Sequence, residues 1–318
     1  MKKFNLFLMC CFAAVIAKAQ TPEMAKAIVH YKFTHVRDTT MRDKPYTENM
    51  VLFLGETSSA YKSFDKKTQD ALMRKQLEQQ IAEQKGNANM NFKITNNKPT
   101  TRSEIYQFPA VGKLMRKESL ITPYLIEETM PAISWKITAD TATHGTLKCQ
   151  KATGHFRGRD YTAWFCPELP FRAGPWKLNG LPGLIVEAYD AKKEVEFKFD
   201  GLEQVDATKP VAKVADQPSP TGAFMKFNGD DEGDPNLISV PTNAVKTTEK
   251  EFNKLQDAMR KDPQAFMAAM GGGAGPGGNM VRSGGGAITG GPVRTVINVG
   301  PGLGGPQMNN PIELPEKK

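Results

Sequence analysis

Residues 27–35 alternate in character. Val29, Tyr31, Phe33 and His35 fall on one side of an extended chain, and Ile28, His30, Lys32 and Thr34 on the other. The first side is the more aromatic, so the pattern predicts a strand with one buried face. Apolar runs at 51–54 and 60–64 predict two more short strands about a turn at Gly55. Residues 66–84 change character. They are rich in strong helix formers, with Leu72, Leu77 and Ile81 at helical spacing, and predict a helix with a thin apolar stripe ending at Gly86. The polar, Asn- and Lys-rich stretch 86–102 reads as a loop or insertion.

The strand signal returns at Glu104 and persists to Phe199. Segments 104–108, 113–120, 123–129, 133–138, 145–152, 160–166, 184–189 and 194–200 are short and separated by Pro, Gly or Asp. No helix of crossover length lies between them, so they predict an antiparallel meander and not βαβ units. The clearest case is 194–199, where Val195, Phe197 and Phe199 share one face and Glu194, Glu196 and Lys198 the other. The pattern weakens over 205–247. Thr248-x-x-Glu251 then forms a capping box opening two helices broken at Pro263. The expected fold is mainly β (α+β): an antiparallel sheet, curled toward a half-barrel, with the 66–84 helix covering its apolar face and a C-terminal helical segment.

Charge and cysteine usage change this picture at the ends. Lys2 and Lys3 precede the apolar run 6–16, and Ala17-Lys18-Ala19 follows as a small-x-small cleavage site. Residues 1–19 therefore read as a secretory signal, with Gln20 as the mature N-terminus and the periplasm or exterior as destination. The run is too short to cross a bilayer. Without its three lysines the net charge falls from +8 to +5. With no basic stripe or nucleic-acid motif, that mild excess does not point to nucleic acid. Only Cys149 and Cys166 remain, compatible with one disulfide but not with a cysteine framework. Fifteen of the 28 glycines lie in 271–305, a composition that cannot offset its ordering entropy. The expected organisation is a signal at 1–19, one β-rich domain over 20–270, and a Gly-rich, disordered tail over 271–318 whose NNPIEL segment, Asn309 to Leu314, docks back or stays extended.

Residues 148–190 carry the most information. Arg157-Gly158 sits between two alternating runs, which predicts a hairpin of 148–154 with 160–166. That register sets Cys149 opposite Cys166, so a bridge is feasible, whereas a one-residue bulge would put the thiols on opposite faces. Leu181-Pro182-Gly183-Leu184 fits a type II turn, with Gly183 at the position that needs positive φ. The turn serves as a recognition tip or as a tight corner aiming two strands.

Gly180-Leu181-Pro182-Gly183-Leu184-Ile185 spells GLPGLI, preceded by C-x-KAT, RGR-x-Y-x-AWF and GPWK-x-N. Asp38-Thr39-Thr40 follows the first strand, Lys261-Asp262-Pro263 lies in the helical segment, and NNPIEL comes near the end. The chain resembles the GLPGLI family of exported proteins of Bacteroidetes-type bacteria. The resemblance is specific over about 100–200 and looser elsewhere. It implies a predominantly β envelope protein, often encoded beside TonB-dependent outer-membrane receptors. It brings no activity and no catalytic residue. Cys166 stands where the resemblance leads one to expect a hydroxyl residue.

Candidate chemistry is sparse. No HExxH, GxSxG, Walker loop or paired CxxC is present. His30 and His35 point to opposite faces of their strand. His144, Cys149, His155 and Cys166 could converge on a soft metal if the hairpin forms, although the spacings match no standard zinc site. Met259, Met267 and Met270 read as packing. Lys148, Lys151, Arg157, Arg159, Arg172 and Lys177 make either a docking face for anionic groups or the solvated sides of strands. Trp135, Trp164 and Trp176 read as core anchors. The leading expectation is a non-enzymatic binding or accessory module of the periplasm or outer membrane, with an outer-membrane receptor as partner and no cofactor or resident metal. A hydrolase without a recognisable motif and a copper-like metal carrier are the alternatives.

Overall fold

The structure, a computed structural model, describes residues 22–83, 91–92, 99–205, 234–269, 296–297 and 308–316. The signal segment, the expected helix end at Gly86, Met270 and nearly all of 271–305 lie outside the described residues.

Two meanders make the body. The first comprises β2 (Ala27–His35), β3 (Tyr46–Leu54), β4 (Ser59–Ser63), β6 (Glu104–Phe108), β7 (Lys113–Ser119) and β8 (Pro123–Thr129), interrupted after β4 by helix α1 (Phe64–Glu83). The second comprises β9 (Trp135–His144), β10 (Leu147–Phe156), β11 (Arg159–Cys166), β12 (Leu184–Asp190) and β13 (Val195–Gln204). The short strands β1 (Glu23–Met24) and β14 (Leu237–Ile238) pair apart from the sheet, as do β5 (Asn91–Phe92) and β16 (Val296–Ile297). β15 (Val245–Thr247) joins β8 in parallel and leads into α2 (Glu249–Lys261) and α3 (Pro263–Ala269).

β13 returns to pair with β2, which fuses the meanders into one twelve-stranded sheet ordered β15-β8-β7-β6-β4-β3-β2-β13-β12-β11-β10-β9. Connectivity forces this sheet to curl. β8 and β9 stand ten strand spacings apart in that order, which on a flat sheet is about 48 Å. The chain from Thr129 to Trp135 bridges the two strands, and those six steps reach only about 21 Å. The flanks are therefore drawn toward each other, and the sheet stays open, not closed into a barrel.

The alternation predicted for β2 and β13 is realised. Val29, Tyr31, Phe33, Val195 and Phe197 are buried in the larger core, and Phe33 stacks on Phe197 with centroids 5.1 Å apart. Ile28, Val51, Phe53 and Tyr106 build a second core on the opposite face. The cover differs from expectation. α1 forms as predicted and buries Leu77, but Leu72 is 51% exposed. The larger core is instead roofed by the irregular segment 167–183, which lays Trp176, Leu178 and Leu181 on it. Gln107 Nε2 donates to Trp176 O, Trp135 Nε1 to Asn179 O, and Asn179 Nδ2 to Pro131 O. These bonds tie the roof to both flanks of the curl. The Thr248–Glu251 capping box and the break at Pro263 are present as read.

Candidate functional site

The β10–β11 hairpin turns at Arg157 and Gly158, both at positive φ (50° and 70°), as a two-residue I′ turn requires. Its register runs from Phe156↔Arg159 to Gln150↔Phe165, the pairing expected from the sequence. The turn aims Arg159 into a buried polar cluster. Arg159 Nη1 donates to Asp190 Oδ2 at 2.6 Å and to Glu194 Oε2 at 3.2 Å. Arg42 reaches Glu194 from outside at 2.8 Å. Burial raises the Glu194 carboxyl, and the hydrogen bonds from Arg42 and Arg159 outweigh it, so the group titrates below its ordinary range.

The remaining donors of Arg159 go to residues 308–316. Its Nη2 donates to Asn310 Oδ1 and Pro311 O, both at 2.7 Å, and its Nε to Ile312 O at 2.9 Å. NNPIEL is thus docked, not free, in a groove between the hairpin tip and the end of β2. Asn310 is buried and every polar group it has is used. Its N–H donates to Arg37 O at 3.1 Å, its Nδ2 to Val36 O at 2.7 Å and Glu194 Oε2 at 3.2 Å, and its carbonyl accepts from His35 Nε2 at 2.8 Å. A carbonyl only accepts, so His35 carries its proton on Nε2. Burial pushes His35 down to about 4, and the neighbouring Arg37 and Arg159 add to the drop.

Asn309 accepts from Thr39 N at 2.9 Å and donates to Asp38 Oδ1 at 2.7 Å. Further along, Leu314 N donates to Arg157 O at 3.0 Å. Glu313 Oε1 lies 2.9 Å from Lys177 Nζ. Glu316 accepts from Gly158 N at 3.1 Å and faces His155 Nε2 at 2.8 Å. A Cβ on Gly158 would sit 2.8 Å from Leu314 O and Pro315 O, so the turn needs glycine for this approach as well as for its φ. The other His155 nitrogen faces Asp160 at 2.6 Å, and the two carboxylates, Asp160 foremost, raise the imidazole. A shallow open depression of about 340 Å³ lies on the outer side, lined by His155, Asp160, Thr153 and Thr162 among others.

The sequence-predicted residues have other duties. Leu181, Gly183, Leu184 and Ile185 are buried, while Gly180 and Pro182 are exposed, so GLPGLI is a corner of the core. The turn departs from type II. Gly183 N donates to Leu181 O at 2.9 Å, a γ-turn about Pro182, and Gly183 has φ 156°. Its glycine is required by packing, since a Cβ would stand 2.7 Å from the Cys166 carbonyl carbon and closer to its oxygen. Cys149 and Cys166 are buried free thiols, one step beyond the Gln150↔Phe165 pair. Burial pushes the Cys149 thiol up to about 12, with Cys166 beside it adding to the rise. His144 pairs with Glu187 near these thiols, whereas His155 lies at the other end of β10. Among the described residues no group of three or more His, Cys, Asp or Glu could hold a metal ion.

Of the six basic residues, Arg159 and Lys177 are buried in ion pairs, Lys151 pairs with Asp140 and Arg157 with Glu313. Trp176 lies in the core, stacked on Phe197, and Trp135 and Trp164 pack at its edge. Sequence reasoning missed the roles of His35, Asp190 and Glu194. The available signal was the joint presence of Asp38-Thr39, Arg157-Gly158-Arg159, Lys177 and NNPIEL, pieces scattered in the chain that the fold brings to one groove.

A family profile described as a protein of unknown function (Porph_ging), associated with Bacteroidetes, matches residues 157–187. That stretch runs from the hairpin tip through the roof into β12. No curated protein matches. Two solved structures of PNGF-II, in space groups P21 and C2, are similar at 8% identity with TM-scores of 0.45 and 0.43. The match covers 72% of this chain and 32% of theirs, so the chain spans about a third of their length. Among the described residues, no helix is long and apolar enough to cross a membrane.

Proposed function

We propose that the chain is an exported, non-enzymatic binding or accessory module of the periplasm or outer membrane, with an outer-membrane receptor as its partner. The observation that carries the reading is the groove at the β10–β11 tip. It holds residues 308–316, bent at Asn309-Asn310 and at Ile312-Glu313, through backbone and side-chain hydrogen bonds, as a peptide-recognition surface does. Export is supported by the 1–19 sequence, whose charged start, apolar run and Ala17-Lys18-Ala19 have the form of a cleaved signal.

Fractionation of the native host followed by affinity capture with the tagged full chain tests this. The reading expects an envelope fraction, a mature chain starting at Gln20, and enrichment of an outer-membrane receptor. A chain retained with residues 1–19 in the cytoplasm, or an envelope capture without such a receptor, overturns it.

A further inference from the structure

Residues 308–316 behave as a ligand of the fold, not as a piece of it. They add no strand to the twelve-stranded sheet. Of the nine, only Asn310 is fully buried; Met308, Asn309, Pro311, Pro315 and Glu316 are exposed. Ile312 rests half-buried against the larger core. The rest of the attachment is a set of hydrogen bonds and ion pairs around the rim of a groove whose walls come from the hairpin tip, the end of β2 and the β12–β13 turn. Arg159 is already paired to Asp190 and Glu194 from the sheet itself. A unit with one buried side chain and many polar rim contacts opens locally far more readily than the sheet unfolds.

The groove is nonetheless selective. At position 310 it offers an acceptor (Val36 O), a donor (Arg159 Nη2) and a carboxylate (Glu194) to one side chain. Only an amide of asparagine length answers all three. A proline at 311 leaves no N–H to satisfy while its carbonyl still meets Arg159. Glu313 and Glu316 meet Lys177, Arg157 and His155. The preferred ligand is therefore an acidic peptide of the form Asn-Asn-Pro-Ile-Glu, bent at its asparagines and again at Ile-Glu.

We propose that this groove is a sequence-reading peptide site, and that the 308–316 segment of a second copy of the chain occupies it in exchange for the chain's own. Every copy carries both the groove and its ligand, so exchange recreates identical contacts and needs no new surface. In dilute protein the chain's own segment prevails through its high effective concentration. The proposal concerns the groove alone and stands whether or not the envelope receptor is the partner.

The test uses the full chain carrying Asn310→Ala, which disables its own segment, and a fluorescently labelled peptide of residues 308–316. Anisotropy should report saturable binding to this variant, and binding at least about tenfold weaker to the wild-type chain, whose groove is filled. The same peptide with Asn310→Ala should not bind. Absence of binding to a folded Asn310→Ala chain overturns the proposal, as does equal binding by variant and wild type. If that variant does not fold, as judged by near-ultraviolet circular dichroism, the labelled peptide is titrated to high concentration against the wild-type chain: saturable binding displaced by the unlabelled peptide but not by its Asn310→Ala form is expected, and no binding, or equal displacement by both peptides, overturns the proposal.

Discussion

Arg159 and Leu184 stand near the two ends of the stretch that matches the family profile, and both are almost inaccessible, at 4% and 0% exposure. They are held in opposite ways. Arg159 is surrounded by carboxylates and carbonyls drawn from β12, the β12–β13 turn and the 308–316 segment. Leu184 follows a corner where backbone lies on backbone, with Gly183 pressed against the carbonyl of Cys166. The first environment depends on charge, partner and protonation state; the second depends on shape alone. Reversible behaviour therefore belongs at the hairpin tip, and all-or-none behaviour at the corner.

The largest effect should come from Arg159→Ala, which takes the buried ion-pair partner from Asp190 and leaves Glu194 with Arg42 alone. Removing one partner of such a cluster costs about 3–5 kcal/mol, readable as a lower urea midpoint. Arg159→Lys should recover only part, because an ammonium cannot reproduce the fork that meets Asn310, Pro311 and Ile312. A midpoint unchanged by Arg159→Ala would break the comparison at its polar end.

At the apolar end, Gly183→Val should cost about 2–4 kcal/mol through backbone strain and overpacking. Leu184→Val removes one methylene and should cost about 1 kcal/mol. Equal midpoints for the two variants would show that the close approach to Cys166 does not matter.

Acid should distinguish the ends without mutation. His35 is held neutral by burial, with Arg37 and Arg159 opposing its charge and Asp190 favouring it. Between pH 6.5 and about 4 the unfolded chain binds a proton that the fold refuses. Stability should thus be full above 6.5 and fall by about 3 kcal/mol across that window. The loss from Glu194 should follow only below the ordinary carboxylate range. His35→Gln, which keeps a donor for Asn310 O, should flatten the first window. A His35→Gln profile identical to wild type would remove His35 from the account.

The smallest effect is one of rate. Cys149, with its thiol pushed up to about 12, is a poor nucleophile while buried. In reduced protein, alkylation by iodoacetamide at pH 8 should be slow in the native state and rapid in urea. Fast native labelling would mean that the corner near Cys166 breathes.

The strands were legible because alternation is local, and β2, β13 and the Arg157-Gly158 hairpin could be placed by counting residues. β9 and β10 run further than read, to His144 and Phe156. β9 is a sheet edge rich in Thr and Ala, where partial exposure on both sides erases the alternation. The roof was legible only at Trp176 and at the 181–184 corner, since the rest of 167–183 has no repeating structure and hence no period. The polar groove was half legible. Arg159 and NNPIEL both stood out as strings, but nothing local ties an arginine to an asparagine 151 residues away. The GLPGLI corner shows the converse: its residues were conspicuous, while the reason for Gly183 lay in a carbonyl on another strand.

The hydrogen bond from His35 to Asn310 spans 275 residues. During synthesis or translocation, β2, β12 and β13 can pair long before residue 310 is available, because their contacts close shorter loops. Through that interval Arg159 sits in an almost finished protein with water where Asn310, Pro311 and Ile312 will be. A chain cut short before residue 308 would keep its sheet and display that basic groove open. The docked segment is thus the contact with the longest loop to close, set on a framework that forms before it.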